Sequence, residues 1–280
     1  MTMKKRNRYK RNPYKFHKRV LESKRNVSKK IVQGIGSKLR RSFGRYRRLM
    51  EADCLEQLTQ LRLTNERENA LKDLYSYRLK AFSELRIELT TDEAGKISNL
   101  CPYCLLEIAG TLDHIIPQTS FPEYSTHPFN LIPCCSTCNS KKSDDWKENG
   151  NRSIIDFYVD DIPAIQFLHV NLTLNNRKLD ITYSISFPPN YDPLLQKRLE
   201  HHFAKLDLLN RYRENSDDKV DELVSEIKVV SGCCGDDIIR NIISKQAHDM
   251  QQKYGVNYWV SILNIACVSD TDVYNYLKNR

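Results

Sequence analysis

Apolar residues fall into a clear rhythm well inside the chain rather than at its start. Leu71, Leu74, Tyr75, Phe82, Leu85 and Leu89 recur at three- and four-residue steps, which predicts one apolar helix face. Asn65 with Glu68 three residues on reads as a capping-box start for that helical region, and Gly95 marks a break after it. Further on the pattern becomes β. Ala164–Leu174 and Lys178–Phe187 are rich in β-branched and aromatic residues and partly alternate, with Asn175-Asn176 between them, so a hairpin is predicted. Pro188, Pro189 and Pro193 end it, and a helical stripe resumes at Leu195, Leu199, Phe203, Leu206 and Leu209. Two or three more helices are expected over residues 217–278.

Charge changes this picture at the N-terminus. Residues 1–48 hold 19 Lys and Arg against the single acid Glu22, whereas the rest of the chain is net acidic; the whole carries +9. Scattered aromatics (Tyr9, Tyr14, Phe16, Phe43, Tyr46) form no long apolar stripe there. The segment is therefore expected to be an extended or unfolded arm that orders on a partner. Its arginines Arg40, Arg41, Arg45, Arg47 and Arg48 are candidate phosphate contacts, since such an excess of positive charge favours a polyanion. No run of about 18 apolar residues exists, which argues against a membrane-spanning helix. The basic start lacks the apolar stretch of a secretory signal and is too unbroken in Lys for a transit peptide. Nine cysteines in an unsignalled chain of 280 residues point to reduced thiols and metal binding in a cytoplasm.

The chemistry concentrates between positions 101 and 143. Cys101-Pro-Tyr-Cys104 and Cys135-Ser-Thr-Cys138 are two CxxC pairs, the spacing with which short loops turn four thiolates onto one tetrahedral zinc. Cys134 is an extra thiol, and only Cys135 gives the CxxC spacing with Cys138. The 30-residue spacer exceeds what a simple zinc ribbon needs. It contains Leu112-Asp-His-Ile-Ile-Pro117 and Phe129-Asn-Leu-Ile-Pro133, and Cys138-Asn-Ser-Lys-Lys-Ser143 follows it. Phosphodiester hydrolysis needs a base for water and a cation for the phosphoryl charge. A histidine ordinarily titrates near neutrality, so His114 is a candidate base for that water, and Asp113 and Asn139 offer the hard oxygens that suit Mg²⁺ or Mn²⁺. Asn130 could fix the loop or orient His114.

Taken together, Cys101-x2-Cys104, Asp113-His114, Asn130, Cys135-x2-Cys138 and Asn139 resemble the HNH, or ββα-metal, endonuclease family. The resemblance implies His114 as general base, Asp113 and Asn139 as holders of the catalytic divalent ion, and Asn130 as orienting residue. Lys141 and Lys142 would lie where a substrate phosphate runs, and products would carry 5′-phosphate and 3′-hydroxyl ends. One tension is visible in the sequence: neighbours on a regular strand point to opposite faces, so Asp113 and His114 share a site only if the strand twists or ends there. A central finger with helical flanks is also similar to HNH proteins that partner an ATPase in bacterial anti-phage systems of the Septu type.

The sequence thus predicts an α+β protein: a basic arm (1–48), a helical segment (49–95), a zinc-stapled ββα finger (96–150), a β-hairpin region (151–192) and a helical region (193–280). The expected function is metal-dependent cleavage of DNA. The rivals are a zinc-dependent nucleic-acid-binding or adaptor protein without turnover, and a nuclease acting on RNA. His127, before Pro128, is expected to be solvent-exposed. His201 and His202 are expected on a helix flank, Cys233 and Cys234 as core thiols, and Trp146 and Trp259 as packing residues.

Overall fold

The structure is a computed structural model, and it describes residues 7–24, 27–76, 78–176 and 178–280. The backbone separates into two compact units, Lys5–Asp160 and Asp161–Arg280. The α+β class is as expected, with helices predominating and the strands confined to short antiparallel pairs. Among the described residues no helix is long and apolar enough to cross a membrane.

The first unit begins with the segment expected to be unstructured, and here the sequence reading is corrected. The described residues of this segment hold helices α1 (Pro13–Glu22), α2 (Val27–Gln33) and α3 (Gly36–Glu51). Asn12 caps α1, its side chain accepting from the Tyr14 amide, and Pro13 sits in the first turn where no amide is needed. Phe16, Val20, Leu21, Val32, Ile35, Leu39, Phe43, Tyr46 and Met50 are all buried. Their spacing is helical, but each stripe is short and interleaved with Lys and Arg, so it does not stand out against the charge. That charge is partly answered within the unit. Arg19 pairs with Glu84 at 3.1 Å, Lys10 with Glu93 at 2.9 Å, and Arg11 with Glu88.

Glu84 and Glu88 belong to α5 (Lys80–Thr90) and Glu93 follows it; α5 with α4 (Asn65–Lys72) replaces the single helical face read from the sequence. Leu71, Leu74, Phe82, Leu85 and Leu89 are buried as expected. The capping box does not form: Thr64 holds the cap position without a side-chain bond, and Asn65 lies inside the helix. The interruption between the two helices carries Tyr75 out of the stripe, and its hydroxyl donates to the Leu112 carbonyl at 2.6 Å.

The finger follows. Strands β1 (Thr111–His114) and β2 (Leu131–Cys134) pair antiparallel, Thr111 opposite Cys134 and His114 opposite Leu131, and α6 (Ser136–Lys142) closes the ββα unit. A small ladder of β3 (Lys147–Glu148) and β4 (Asn151–Arg152) comes next. Buried Arg152 then binds both carboxylate oxygens of Asp160 at 2.6 and 2.7 Å and reaches Asp53 at 2.7 Å.

In the second unit, β5 (Leu168–Asn175) and β6 (Lys178–Ile185) form the expected hairpin, Leu168 opposite Ile185 and Asn175 opposite Lys178. Asn176 supplies the left-handed turn residue at a φ of 48°. Pro193 opens α7 (Pro193–Lys205), capped by Asp192, whose Oδ1 accepts from the Leu194 and Leu195 amides at 2.8 and 2.9 Å. The stripe expected to run on to Leu209 is broken at Asp207, in the left-handed region, where α8 (Leu208–Glu214) begins. Four helices rather than two or three fill the remainder: α9 (Ser216–Ser231), α10 (Asp236–Tyr254), α11 (Trp259–Ser269) and α12 (Thr271–Lys278). Trp259 is a packing residue as expected, buried and stacked on Tyr212 at 5.5 Å.

Candidate active site

The four cysteines come together as their spacing requires. The Sγ atoms of Cys101, Cys104, Cys135 and Cys138 all lie within 4.8 Å of one another, and all four residues are buried. Zinc–sulfur bonds of about 2.3 Å in a tetrahedron put the sulfurs about 3.8 Å apart; Cys104 and Cys135 stand at 3.8 Å. The donor set and its spacing therefore fit a structural zinc. Backbone amides add to the case, since N–H groups directed at sulfur stabilise thiolates. The Leu106 amide donates to Cys104 at 3.4 Å and the Cys138 amide to Cys135 at 3.3 Å, so Cys135 also serves as the N-cap of α6. Cys134 stays off the cluster and faces the Thr111 hydroxyl at 3.4 Å. Among the described residues no other group of three or more His, Cys, Asp or Glu is placed to hold a metal. His202 is buried and His201 half-buried, whereas Cys233 is exposed rather than a core thiol.

His114 ends β1 with its ring against Tyr75, centroids 4.5 Å apart, and Nε2 2.9 Å from the Ser125 carbonyl. A carbonyl can only accept, so Nε2 carries the proton and Nδ1 is the nitrogen left to take one. Burial pushes the His114 pKa down to about 4, against the opposing pull of the Ser125 bond and the Asp113 charge. The ring is thus neutral at pH 7, the state a general base needs.

Asp113 takes different neighbours. Its Oδ2 accepts from the Tyr103 hydroxyl at 2.8 Å, and the Lys142 ammonium lies 3.2 Å away. Lys142 also donates to the His114 carbonyl at 2.7 Å and is fully buried. Lys142, expected to face substrate phosphates, is instead an internal cation tying α6 to the end of β1. Its neighbour Lys141 is exposed. Asp113 and His114 hydrogen-bond to different partners at the end of β1, both are buried, and Asp113 acts on His114 through its charge.

The donor chemistry at this face suits a hard divalent cation. Asn139 donates through Nδ2 to the Thr111 hydroxyl at 3.3 Å. Thr111 and Asp113 share a face of β1 by the two-residue period, so the Asn139 side chain and the Asp113 carboxylate lie on one side of the strand. The Lys142 ammonium already sits on that carboxylate, so a cation bound there shares Asp113 with Lys142 or displaces it.

Asn130 is fully buried, and its side chain hydrogen-bonds to neither His114 nor Asp113. Its Oδ1 accepts from the Ile116 amide at 2.8 Å and the Tyr46 hydroxyl at 3.1 Å, while Nδ2 donates to the Ile116 carbonyl at 3.0 Å. Of its two expected roles, the contacts are those of fixing the loop after His114. That loop is also held by residues the sequence reading passed over. His17 of α1 bonds the Thr126 hydroxyl at 2.8 Å. His127, expected in solvent, is fully buried: Nδ1 accepts from the Phe129 amide, and the ring lies 4.4 Å from Phe43 and 4.5 Å from Tyr46 of α3. The only signal for either was aromatic spacing on α1 and α3, masked by charge. Among the arm arginines, Arg45 bonds the Thr59 hydroxyl at 2.6 Å and Arg47 pairs with Glu51 at 2.8 Å, while Arg40, Arg41 and Arg48 are exposed.

Burial lowers His17 to about 4 and His127 to about 3. Both stay neutral in the folded chain, whereas the unfolded chain protonates them near pH 6.5. Between about pH 6.5 and pH 4 the unfolded state binds more protons, so stability falls as pH falls, by about 1.4 kcal/mol per pH unit for each histidine. Asp156, pushed up to about 6 by burial, works in the opposite sense over part of that window. Urea unfolding at several pH values should show His17→Gln losing about 1.4 kcal/mol per pH unit of this dependence relative to wild type; parallel curves would rule it out.

Residues 101–145 match the family model of HNH endonucleases. Over 161 residues the chain is 26% identical to protein ea31 of Escherichia phage lambda. The similarity covers 56% of this chain and 54% of that protein, so the chain spans about half the length of this curated relative. No solved structure matches. The segment that gathers the four cysteines, β1, β2 and α6 is therefore an HNH endonuclease domain set within a longer chain.

Proposed function

We propose that this chain is a metal-dependent endonuclease that hydrolyses phosphodiester bonds in DNA, with His114 as general base. The observation that carries the reading is His114 itself: a neutral imidazole at the end of β1, oriented through Nε2 by the Ser125 carbonyl, inside the segment that matches the HNH family. Nδ1 takes the proton of the attacking water. Asp113 and Asn139 hold the divalent cation, which supplies charge neutralisation at the phosphoryl group. Lys142 and Tyr103 set the position of Asp113, and Asn130 with Tyr46 sets the loop that presents Ser125. The zinc held by the four cysteines is structural. The similarity to a phage-encoded protein adds nothing toward a defence role or an ATPase partner.

His114→Ala is expected to lower Mg²⁺-dependent plasmid nicking by roughly 10²–10⁴-fold, the usual worth of a general base. Zinc content and DNA affinity should stay at wild-type levels. A wild-type cleavage rate in His114→Ala would rule out this mechanism. One observation favours a second reading, a zinc-dependent nucleic-acid-binding protein without turnover: the Asp113 carboxylate is already met by the Lys142 ammonium. Incubating the purified protein with DNA and RNA substrates and Mg²⁺ or Mn²⁺ separates the two, and also decides which polymer is cut.

A further inference from the structure

The helices that replace the expected arm enclose a feature the charge count could not show. A shallow cavity of about 600 Å³ opens between α1 and α3, lined by Tyr14, Lys18, Gly36, Ser37, Arg40 and Arg41. Three cations and no carboxylate line it. Lys18, Arg40 and Arg41 are exposed, and none takes part in an ion pair among the described residues, in contrast to Lys10, Arg11, Arg19 and Arg47. The acid nearest in sequence, Glu22, lines an adjoining cavity of about 260 Å³ that shares Tyr14, Lys18 and Gly36 with this one, while Arg40 and Arg41 face only the larger cavity. The first turn of the 16-residue helix α3 opens at the same place, and no side chain caps its amides. Free first-turn amides and the helix dipole favour an anion. Tyr14 fixes the geometry, its hydroxyl donating to the Gly36 carbonyl at 2.8 Å. A Cβ at Gly36 would come within 3.2 Å of that hydroxyl, so glycine permits the close approach.

We infer that this cavity is a docking site for the phosphate backbone of a nucleic acid, separate from the finger's own contacts. The inference rests on the nuclease reading for the kind of anion. Unpaired like charges gathered in one cavity repel each other, and a run of phosphates relieves that repulsion while leaving the bases unread. Both walls are anchored to the loop that orients His114. On α1, His17 next to Lys18 bonds Thr126, adjacent to Ser125; on α3, Phe43 two residues beyond Arg41 packs against the His127 ring at a tilt of 41°. A backbone held in the cavity is thereby held at a fixed place relative to that loop. Arg45 and Arg47, equally plausible from the sequence, already serve partners of their own.

The test reads binding and not cleavage. Zinc-loaded full-length protein without Mg²⁺ is titrated against a short fluorescein-labelled duplex by anisotropy, at a series of potassium chloride concentrations. Replacing Lys18, Arg40 and Arg41 together by Ala should flatten the slope of log K against log salt by about 2.7 units, three phosphates at about 0.9 each. The control replaces Arg45 and Arg47 by Ala and should leave the slope within about half a unit of wild type. Circular dichroism confirms that both variants fold; since all three cavity cations are exposed, they should. An unchanged slope in the cavity variant overturns the inference. So does displacement of the duplex by inorganic phosphate at matched ionic strength, which would mark a site for a free anion. Displacement by polyglutamate as effective as by unlabelled duplex would indicate an acidic protein and overturn it too. A protein that binds with the expected slopes but never cuts would sink the nuclease reading and leave the docking site standing. A nuclease whose cavity variant binds as wild type would do the reverse.

Discussion

Deleting residues 1–48 should give a chain whose first unit does not fold, recovered as insoluble or protease-sensitive protein with no cleavage at any DNA concentration. A charged, unstructured arm would predict the contrary: soluble protein with weakened DNA binding and intact turnover at saturation. The burial decides between them. Phe16, Val20, Leu21, Val32, Ile35, Leu39, Phe43 and Tyr46 are all buried and all lost in the truncation. Each fully buried apolar side chain contributes about 1.5–3 kcal/mol, so the deletion removes on the order of 15–20 kcal/mol of burial. That exceeds the whole net stability of a typical domain, about 5–15 kcal/mol. The damage would reach the finger directly. Tyr46 no longer holds Asn130, His17 no longer holds Thr126, and buried His127 loses Phe43. Limited proteolysis and solubility of the truncated chain check this; a soluble, cleaving truncation would show that the helices are dispensable.

Replacing Cys101, Cys104, Cys135 or Cys138 by Ser should release one equivalent of zinc and unfold the finger, abolishing nicking along with structure. The magnitude follows from linkage: structural zinc sites contribute roughly 10–16 kcal/mol of binding free energy near neutral pH, all of it available only to the folded site. Four buried sulfurs within 4.8 Å of one another make a poor core without a cation, because anionic sulfurs repel and protonated ones cannot all be satisfied. Cys134→Ser should leave zinc content unchanged, since Cys134 faces Thr111 and not the cluster. Elemental analysis of each variant distinguishes the outcomes: full zinc in Cys138→Ser, or lost zinc in Cys134→Ser, would reject the assignment. His114→Ala makes the useful contrast, as it should lose rate while keeping the metal.

The finger was legible in the sequence because its chemistry is local. CxxC spacing sets which thiols can share one ion, Asp113-His114 and Asn139 are placed by a short strand and a short helix, and Asn176 announces its own turn. The β-hairpin and the α7 cap at Asp192 were readable for the same reason: the residues that form them lie within a few positions of each other. What only the tertiary structure decided involves partners far apart in the chain. Lys142 reads as a surface lysine until α6 lays it beside Asp113, 29 positions back, where a buried charge is tolerated only when paired. His127 reads as a loop residue until Phe43 and Tyr46 cover it. The basic segment reads as an unfolded arm because charge dominates its composition; whether its sparse apolar residues suffice depends on what they pack against. Phe16 meets Phe82 and Tyr46 meets Tyr124, neighbours that exist only once α5 and the finger are in place. Sequence fixes the local geometry and the chemistry at hand, but burial and charge neutralisation depend on partners brought near by the fold. That is why the four-cysteine cluster and the ββα segment could be read from the chain, and the walls that hold them could not.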